Sequence, residues 1–485
     1  MNDIHQDMDE KMSSVVDPKI DLAEEEYTEA ESRKVVRKLD IYILPIMFVL
    51  FTLQFMDKQA LNYGAIWGLK TDLKLTSDQY AWTGSIFYFG YLLAQFIFPP
   101  LVHKVPIAKA CGVFIFLWSA VLMTMPACKN FTGLACQRFF LGVCEGGITP
   151  AFVVLTSLFY TRQEQALRSS VWYNGNAMGN IIGGALGYAF GEANTNLQKW
   201  QLFPLVFGAI SLGFSAAFVF LVPDSVEKAR FFNDDERRVA VLRVRSNMTG
   251  VARGHFNWYE VREALIDPKT WLILIIALPN ALQASGPGTF GSQIVKNFGF
   301  STLHTTVLQA VPTGAFQFLT TVGAGYIATH YKDMRLILIV IVNLPAIIGG
   351  ACLYSLPKSN KALLAPYILV YGAACTQSLY LTFLSSNVAG YTKKTVVAVG
   401  SLLMYSAGQI AGPHFFTEPP YALGFGMMMT CYSIIIVTAI ILRFYCVREN
   451  KRRDAAHLHM DVSQVVADEQ DLTDWQRKAT FRYAL

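Results

Sequence analysis

Hydrophobic residues in this chain fall in long blocks. Twelve stretches are apolar for about 20 residues or more, the length a helix needs to cross a hydrocarbon core. They cover roughly 41–65, 78–102, 108–127, 133–159, 169–190, 202–222, 271–295, 305–328, 336–356, 363–386, 395–416 and 422–445. The short alternating runs of a membrane barrel are not the pattern of these blocks. Six blocks precede the polar segment 223–268 and six follow it. That segment carries Asp234, Asp235, Glu236, Arg237, Arg238, Arg243 and Arg245, too much charge for lipid. The pattern predicts an all-α membrane protein with twelve transmembrane helices in two six-helix pseudo-repeats. Its parts are an N-terminal tail (1–40), a first bundle (41–222), a linker with a surface helix (223–268), a second bundle (269–445) and a C-terminal tail (446–485).

Composition narrows the class. Of the 485 residues, 53% are hydrophobic and 15% charged, against about 25% charged in soluble domains. This excludes a soluble core, a disordered chain and a disulfide scaffold. A net charge of +5 without a basic stripe argues against nucleic acid. The eight cysteines form no C-x-x-C pair and read as small buried hydrophobes. His457 and His459 in the tail read as solvated rather than as metal ligands. The acidic, then basic, first 40 residues contain no cleavable apolar stretch, so they are not a signal peptide.

The short loops divide Lys and Arg almost evenly between the two sides. The flanks decide orientation: Arg33, Lys34, Arg37 and Lys38, the central linker, and Arg448, Lys451, Arg452 and Arg453 all fall on one side. Both termini are therefore expected in the cytosol.

The halves echo each other. Gly-Asn-Ile-Ile-Gly-Gly at 179–184 matches Gly-Gln-Ile-Ala-Gly-Pro at 408–413, and Tyr160-Thr161-Arg162 matches Tyr391-Thr392-Lys393 at nearly the same offset. A six-plus-six repeat is the design of a rocking transporter with its site between the halves near the midplane. Gly175, Gly179, Gly183 and Gly187 recur every four residues, and Gly408 and Gly412 repeat the spacing. Such stripes let helix backbones approach closely; they serve helix packing, or a smooth surface on which the halves pivot.

Charges inside the blocks are few and costly. Arg138 and Glu145 lie seven residues apart in the fourth block, on one helix face and about 10 Å apart along the axis. Arg138 can clamp a carboxylate with two parallel bonds. A desolvated Glu145 can titrate near neutrality and couple protons. The competing reading is a structural ion pair. Asp57 and Lys58 share the outer third of the first block and point about 100° apart, so one can face the cavity while the other faces a neighbouring helix. Lys58 is a candidate for substrate and Asp57 for the proton.

The second half offers amides and phenols in place of charges. Asn280, Gln283, Gln377, Tyr405 and Gln409, with Asn176 of the fifth block, are the candidate substrate-binding groups; Gln309 and Gln317 belong to the same wall. Ser285-Gly286-Pro287-Gly288 is expected to break the seventh helix and open backbone groups to the cavity. His304, His414 and Glu418 read as interfacial. No catalytic set, metal-ligand cluster or Walker sequence occurs at usable spacing, so neither an enzyme nor an ATP-driven pump is expected.

Arg138-Phe-Phe-Leu-Gly142-Val-Cys-Glu145-Gly146-Gly147-Ile-Thr-Pro150-Ala151 resembles the signature of the anion:cation symporter branch of the major facilitator superfamily. Asp57-Lys58, Pro223-Asp224-Ser225, Asp267-Pro268-Lys269-Thr270-Trp271 and Asn387-Val388-Ala389-Gly390-Tyr391-Thr392-Lys393 resemble its fungal allantoate, nicotinate and pantothenate permeases in particular. The resemblance spans roughly residues 33 to 450. It implies organic-anion uptake with protons, Arg138 holding the anion and Glu145 coupling the proton. The cation of the first block falls on Lys58, usually Arg in those permeases; an ammonium cannot make the planar fork. The superfamily's usual gating motif after the second block is replaced by His103-Lys104-Val105-Pro106-Ile107-Ala108-Lys109, and the loop Gly325 to Arg335 lacks its early acid.

The expected protein is thus a monomeric, multi-pass symporter of the plasma membrane, with a vacuolar or other organelle membrane as the alternative. Its partners are a small organic anion, protons and the lipid bilayer. It needs no cofactor, the proton gradient being the driving force. In the expected cycle, substrate takes Arg138 from Glu145, which then binds a proton. The rival functions are a non-transporting nutrient receptor and a facilitator of a neutral solute or drug.

Overall fold

The computed structural model describes residues 27–102, 105–251, 256–357, 359–457, 472–478 and 481–485. The acidic stretch through residue 26, His103, Lys104 and His459 lie outside them. Helices are joined by short turns, and no strand occurs among the described residues. The long helices are α1 (Leu44–Ile66), α2 (Ser77–Val102), α3 (Ile107–Met123), α4 (Phe131–Phe159), α5 (Gly175–Glu192), α6 (Lys199–Leu221), α7 (Pro268–Lys296), α8 (Thr302–His330), α9 (Arg335–Ser355), α10 (Leu364–Asn387), α11 (Tyr391–Ala411) and α12 (Ala422–His457). Six precede the linker and six follow it, as the hydrophobic blocks predict. The face where α1 begins and α12 ends is called the terminal face below.

Among the described residues ten of the helical spans are long and apolar enough to cross a membrane by composition; α5 and α8 fall outside that set. The physical reason is their position. They pack on each other between the halves, Gly184 against Ala310 and Gly314 against Ala177, and their inner faces carry the polar Asn176, Asn180, Thr306, Gln309 and Gln317, which lower their mean hydropathy.

Glycines set the close crossings. A Cβ at Gly175 would stand 2.7 Å from Phe48 O, and one at Gly179 2.5 Å from Thr52 O, so α5 lies against the backbone of α1. Gly408 makes the same approach in the second half, 2.6 Å from Leu278 O, and Gly412 approaches Leu282 O at the same distance, laying α11 on α7. The repeat in the sequence is thus a repeat in packing. Gly175, Gly179 and Gly183 face α1 within their own half; the contact with the other half is made by Gly184 and Gly187, on the next face of the helix.

Two expectations are corrected. α7 runs unbroken through Ser285-Gly286-Pro287-Gly288. A proline removes one ladder bond and crowds one carbonyl; here Pro287 and Gly288 line a cavity and the Phe416 ring covers Gly286, so the surroundings absorb the loss. Helix breaks occur instead in α4 at Gly146-Gly147, directly after Glu145, and in α10, where Gly372–Cys375 is a tighter 3-10 turn. The second correction concerns the cysteines. Cys111, Cys375, Cys431 and Cys446 are buried, but Cys136 lies on an exposed face of α4.

At the terminal face the linker is shared between the halves. Its helix Asp234–Val251 is tied to the first half by Lys38–Glu236 at 2.6 Å and Arg243–Glu164 at 2.6 Å. The Lys38 ammonium and the Asn233 N–H hold Glu236 below the usual carboxylate range. The helix Trp258–Ile266 serves the second half: Lys393 reaches Glu263 and Asp267, each at 2.8 Å.

The C-terminal tail joins the same cluster. Asp474 stands 2.6 Å from Lys269 and 2.8 Å from Lys393. Arg453 donates to Asp474 O, Phe481 O and the Tyr483 hydroxyl, and Asn387 donates to Ala484 O. Burial alone would raise Asp474, but the two ammonium groups outweigh it and hold the carboxyl down at about 2. Residues 472–478 and 481–485 therefore form a strap over the terminal ends of α7, α10, α11 and α12. The strap also uses the Asp267–Lys269 and Asn387–Lys393 motifs, so these positions build that face rather than the cavity.

Candidate functional site

α4 carries two of the candidate charges, and its seat explains the motif around them. A Cβ at Gly142 would overlap Phe87 O of α2, and one at Gly90 would overlap Phe139 O of α4. A Cβ at Gly146 would stand 2.8 Å from Tyr91 O. With glycine at these points α2 and α4 lie backbone to backbone, and the face bearing Arg138 and Glu145 turns inward. Asn130 starts the helix by accepting from Gly133 N–H at 2.9 Å.

A cavity of about 240 Å³ lies between the halves. Pockets for drug-sized ligands run to about 300–1,000 Å³, so this one suits a small solute. Its wall contains Lys58, Arg138 and Asn176 from the first half and Asn280, Gln283, Gln377, Tyr405 and Gln409 from the second, with Gln317. The structure brings all eight candidate substrate-binding residues to one cavity. It adds Gln59, Tyr88, Tyr173, Asn174 and Tyr371, which no charge pattern marks in the sequence.

Glu145 is fully buried and ion-pairs with Lys58 at 2.8 Å. Its partner is thus the α1 cation, not Arg138 on its own helix. At that distance the Lys58 ammonium donates to the carboxylate in a charge-assisted contact. Lys58 keeps 31% of its side chain open and also lies over the Phe87 ring. It can therefore reach a bound solute while holding Glu145.

Arg138 is 2% exposed and has no carboxylate within ion-pair reach among the described residues. Its Nη2 donates to Met125 Sδ at 3.6 Å, and its Nε has no partner. A buried cation lacking a counter-charge is costly, and this one stands in the cavity wall.

Asp57 does not line the cavity. It accepts from Trp118 Nε1 at 2.8 Å and Ser211 Oγ at 3.1 Å, fixing α1 to α3 and α6, and its second oxygen has no partner. The 100° between neighbours has sent Lys58 to the cavity and Asp57 to the helix joint. In the second half several amides are already engaged. Asn280 donates to Gln377 Oε1 at 2.7 Å, and Tyr432 donates to Gln283 Oε1 at 2.9 Å. Gln309 donates to the Tyr371 hydroxyl at 3.4 Å and lies behind the wall.

The far end of the cavity is sealed by bonds between the halves. Tyr80 donates to Thr289 O at 2.8 Å, Ser292 N–H to Asn62 Oδ1 at 2.9 Å, Trp67 to Thr306 Oγ1 at 3.2 Å and Lys70 to Gln293 Oε1 at 3.2 Å. All lie toward the end of the bundle away from the terminal face. Toward that face a Cβ at Gly323 or Gly325 of α8 would meet nothing within 4 Å.

Residues 47–413 match the family described as Major Facilitator Superfamily. The allantoate permease of Saccharomyces cerevisiae is 33% identical, covering 98% of this chain and 91% of its own length. An uncharacterized transporter of Schizosaccharomyces pombe is 36% identical over 94% of this chain and 88% of its own length. A thiamine pathway transporter of Saccharomyces cerevisiae is 30% identical over 87% and 81%. In fold, the chain is similar to a bacterial homolog of the human lysosomal transporter Spinster in an inward-facing, occupied conformation. That match has TM-score 0.62 and 17% identity, covering 84% of this chain and 97% of that one. The D-xylose-proton symporter gives TM-score 0.59 at 13% identity, covering 83% and 97%.

Proposed function

We propose, from the premise that this chain belongs to the Major Facilitator Superfamily, that it is a proton-coupled symporter importing a small organic anion by alternating access. The observation that carries this reading is Arg138: a buried guanidinium in the cavity wall with no carboxylate of its own among the described residues. A substrate carboxylate supplies the missing charge with a geometry the guanidinium fits. The allantoate permease, whose name is that of a carboxylate carrier, supports the same class of substrate.

The coupling step uses the Lys58–Glu145 pair. With the cavity empty, Lys58 holds Glu145 ionised. The substrate anion binds between Arg138 and Lys58 and draws the ammonium away. Glu145, left in an apolar site without its cation, takes up a proton. Loaded with anion and proton, the site is close to neutral and the halves can rock past it. On release the proton leaves Glu145 and Lys58 returns. With both termini in the cytosol of a plasma-membrane protein, the sealed far end faces outside and the cavity drains inward.

The test is uptake of radiolabelled small carboxylates, allantoate among them, by cells producing the chain at pH 5 and pH 7.5, with and without a protonophore. Uptake that is faster at the lower pH and collapses with the protonophore is the expected result. Uptake of a neutral solute that is indifferent to pH and to Arg138→Ala would overturn it.

A further inference from the structure

The linker's second helix, Trp258–Ile266, has two unlike faces. Trp258, Tyr259, Arg262, Leu265 and Ile266 recur at the spacing that places them on one side of a helix, and all five are exposed. Glu260, Glu263 and Ala264, on the other side, are buried. Phe256, just ahead of the helix, is exposed too, and its ring meets the Trp258 ring edge-on at 5.0 Å between centroids.

The buried face fixes how the helix sits. Glu260 accepts from the Lys393 N–H at 3.0 Å. Glu263 accepts from the Lys393 ammonium at 2.8 Å and from the Thr473 hydroxyl at 2.9 Å. The Asn257 side chain caps the helix by accepting from Tyr259 N–H at 2.9 Å, and its own N–H donates to Thr392 Oγ1 at 3.0 Å. Both acids are thus held against α11 and the strap, and the helix cannot roll its aromatic face inward. Trp258 is left 75% exposed. A contiguous apolar patch of this kind marks a contact surface.

The place of the helix identifies the contact. Asp267 alone separates it from Pro268, where α7 starts. Trp271, in the first turn of α7 and itself exposed, donates from Nε1 to Leu265 O at 2.8 Å. Trp271 also lines an apolar groove of about 900 Å³ between α7, α11 and α12, where Ile275 and Ile434 lie exposed on the outside of the bundle. The aromatic face is therefore continuous with the lipid-facing wall of the second half, at the level where the span begins. Trp and Tyr collect at that level because their rings take the apolar side and their N–H and O–H groups the wet one. Arg262 puts a cation on the same face, suited to lipid phosphate, while Glu260 and Glu263 are turned away. The linker's other helix, Asp234–Val251, instead exposes Asp234, Asp235 and Arg238.

We infer that Phe256 and the outer face of Trp258–Ile266 dock into the headgroup layer of the leaflet at the terminal face. The partner is the lipid surface itself. The second half is moored to it through α7 and α11, whereas the linker helix tied to the first half stays in water. The inference holds whatever solute the cavity carries.

The experiment reads the surroundings of spin labels by electron paramagnetic resonance. The full-length protein is reconstituted in liposomes of phosphatidylcholine and phosphatidylserine. Labels are placed singly at Tyr259→Cys and Ile266→Cys on the outer face, and at Asp235→Cys as the water reference. The exposed Cys136 is replaced by Ser, and the signal of that background is subtracted. Oxygen concentrates in lipid and a nickel chelate in water, so the ratio of their collision rates reports depth. The ratio is expected to be at least about threefold higher at 259 and 266 than at 235, as for a helix lying in the interface. Adding Trp258→Asp and Leu265→Asp should bring the ratio at 259 down toward the value at 235, with the unfolding midpoint in detergent checking the fold. Equal ratios at all three sites would overturn the mooring and leave the face in water. Protection of 259 and 266 from both reagents would overturn it in favour of a protein partner or a second copy of the chain.

Discussion

Glu145 of α4 meets Lys58 of α1 at 2.8 Å, while Arg138, two turns away on the same helix as Glu145, meets no acid among the described residues. Among the described residues one acid thus faces two cations and pairs with one of them, and Arg138 is left over. In the proposed cycle that imbalance makes the cavity a receptor for a negative charge. In the same cycle Glu145 is the group whose partner changes when the charge arrives.

Glu145→Gln keeps the shape of the side chain but cannot exchange a proton. Accumulation against a gradient is expected to fall at least tenfold, while exchange of labelled for unlabelled substrate persists. Measuring both on one preparation checks this; accumulation at the parent level would refute the coupling step.

Lys58→Ala leaves a buried carboxylate without its cation, a loss of about 3–5 kcal/mol for a broken buried pair. The thermal unfolding midpoint in detergent should drop accordingly. Adding Glu145→Gln should restore most of the stability but none of the transport. A double variant no more stable than Lys58→Ala would show that the pair is not what holds α1 to α4.

Arg138→Lys and Arg138→Ala separate charge from geometry. Lysine keeps the charge without the fork, so a KM for the carboxylate raised about tenfold is expected, against loss of saturable uptake with alanine. Equal kinetics in all three proteins would remove Arg138 from the site.

The strap predicts a pH profile as well as a stability loss. Asp474 is held down at about 2, below its ordinary value, so its contribution is full above about pH 4 and fades only as pH falls toward 2. Asp474→Asn should lower the unfolding midpoint by a similar amount throughout pH 5 to 8. A loss confined to one end of that range would contradict the ion-pair account.

Much of this was legible in the hydrophobic pattern. The blocks mark twelve helices because lipid leaves no other way to satisfy their backbones. The glycine echo at 179–184 and 408–413 marks the two crossings, α5 on α1 and α11 on α7, that repeat in the structure. The rare polar residues mark the cavity because only a cavity tolerates them.

What the spacing of seven residues could not give was the partner of Glu145. It fixes a face of α4, but which neighbouring helix covers that face is a tertiary fact. The same holds for Asp57, one residue from Lys58 yet turned to Trp118 and Ser211. The strap was hidden for a different reason. Its polar residues carry no periodicity, and its affinity for the bundle comes from Lys269 and Lys393, far away in the chain. The Ser285–Gly288 stretch misled because helix breakers are judged against water, whereas α7 is supported by its neighbours and the cavity.

The most direct test of the central claim is proton movement driven by substrate. Purified protein in liposomes, with no pH gradient imposed, would be given allantoate or another small carboxylate while a dye reports external pH. The account predicts alkalinisation outside on addition of the transported acid, lost in Glu145→Gln and in Arg138→Ala. Entry of the carboxylate with no accompanying proton, or proton entry that survives in Glu145→Gln, would contradict it.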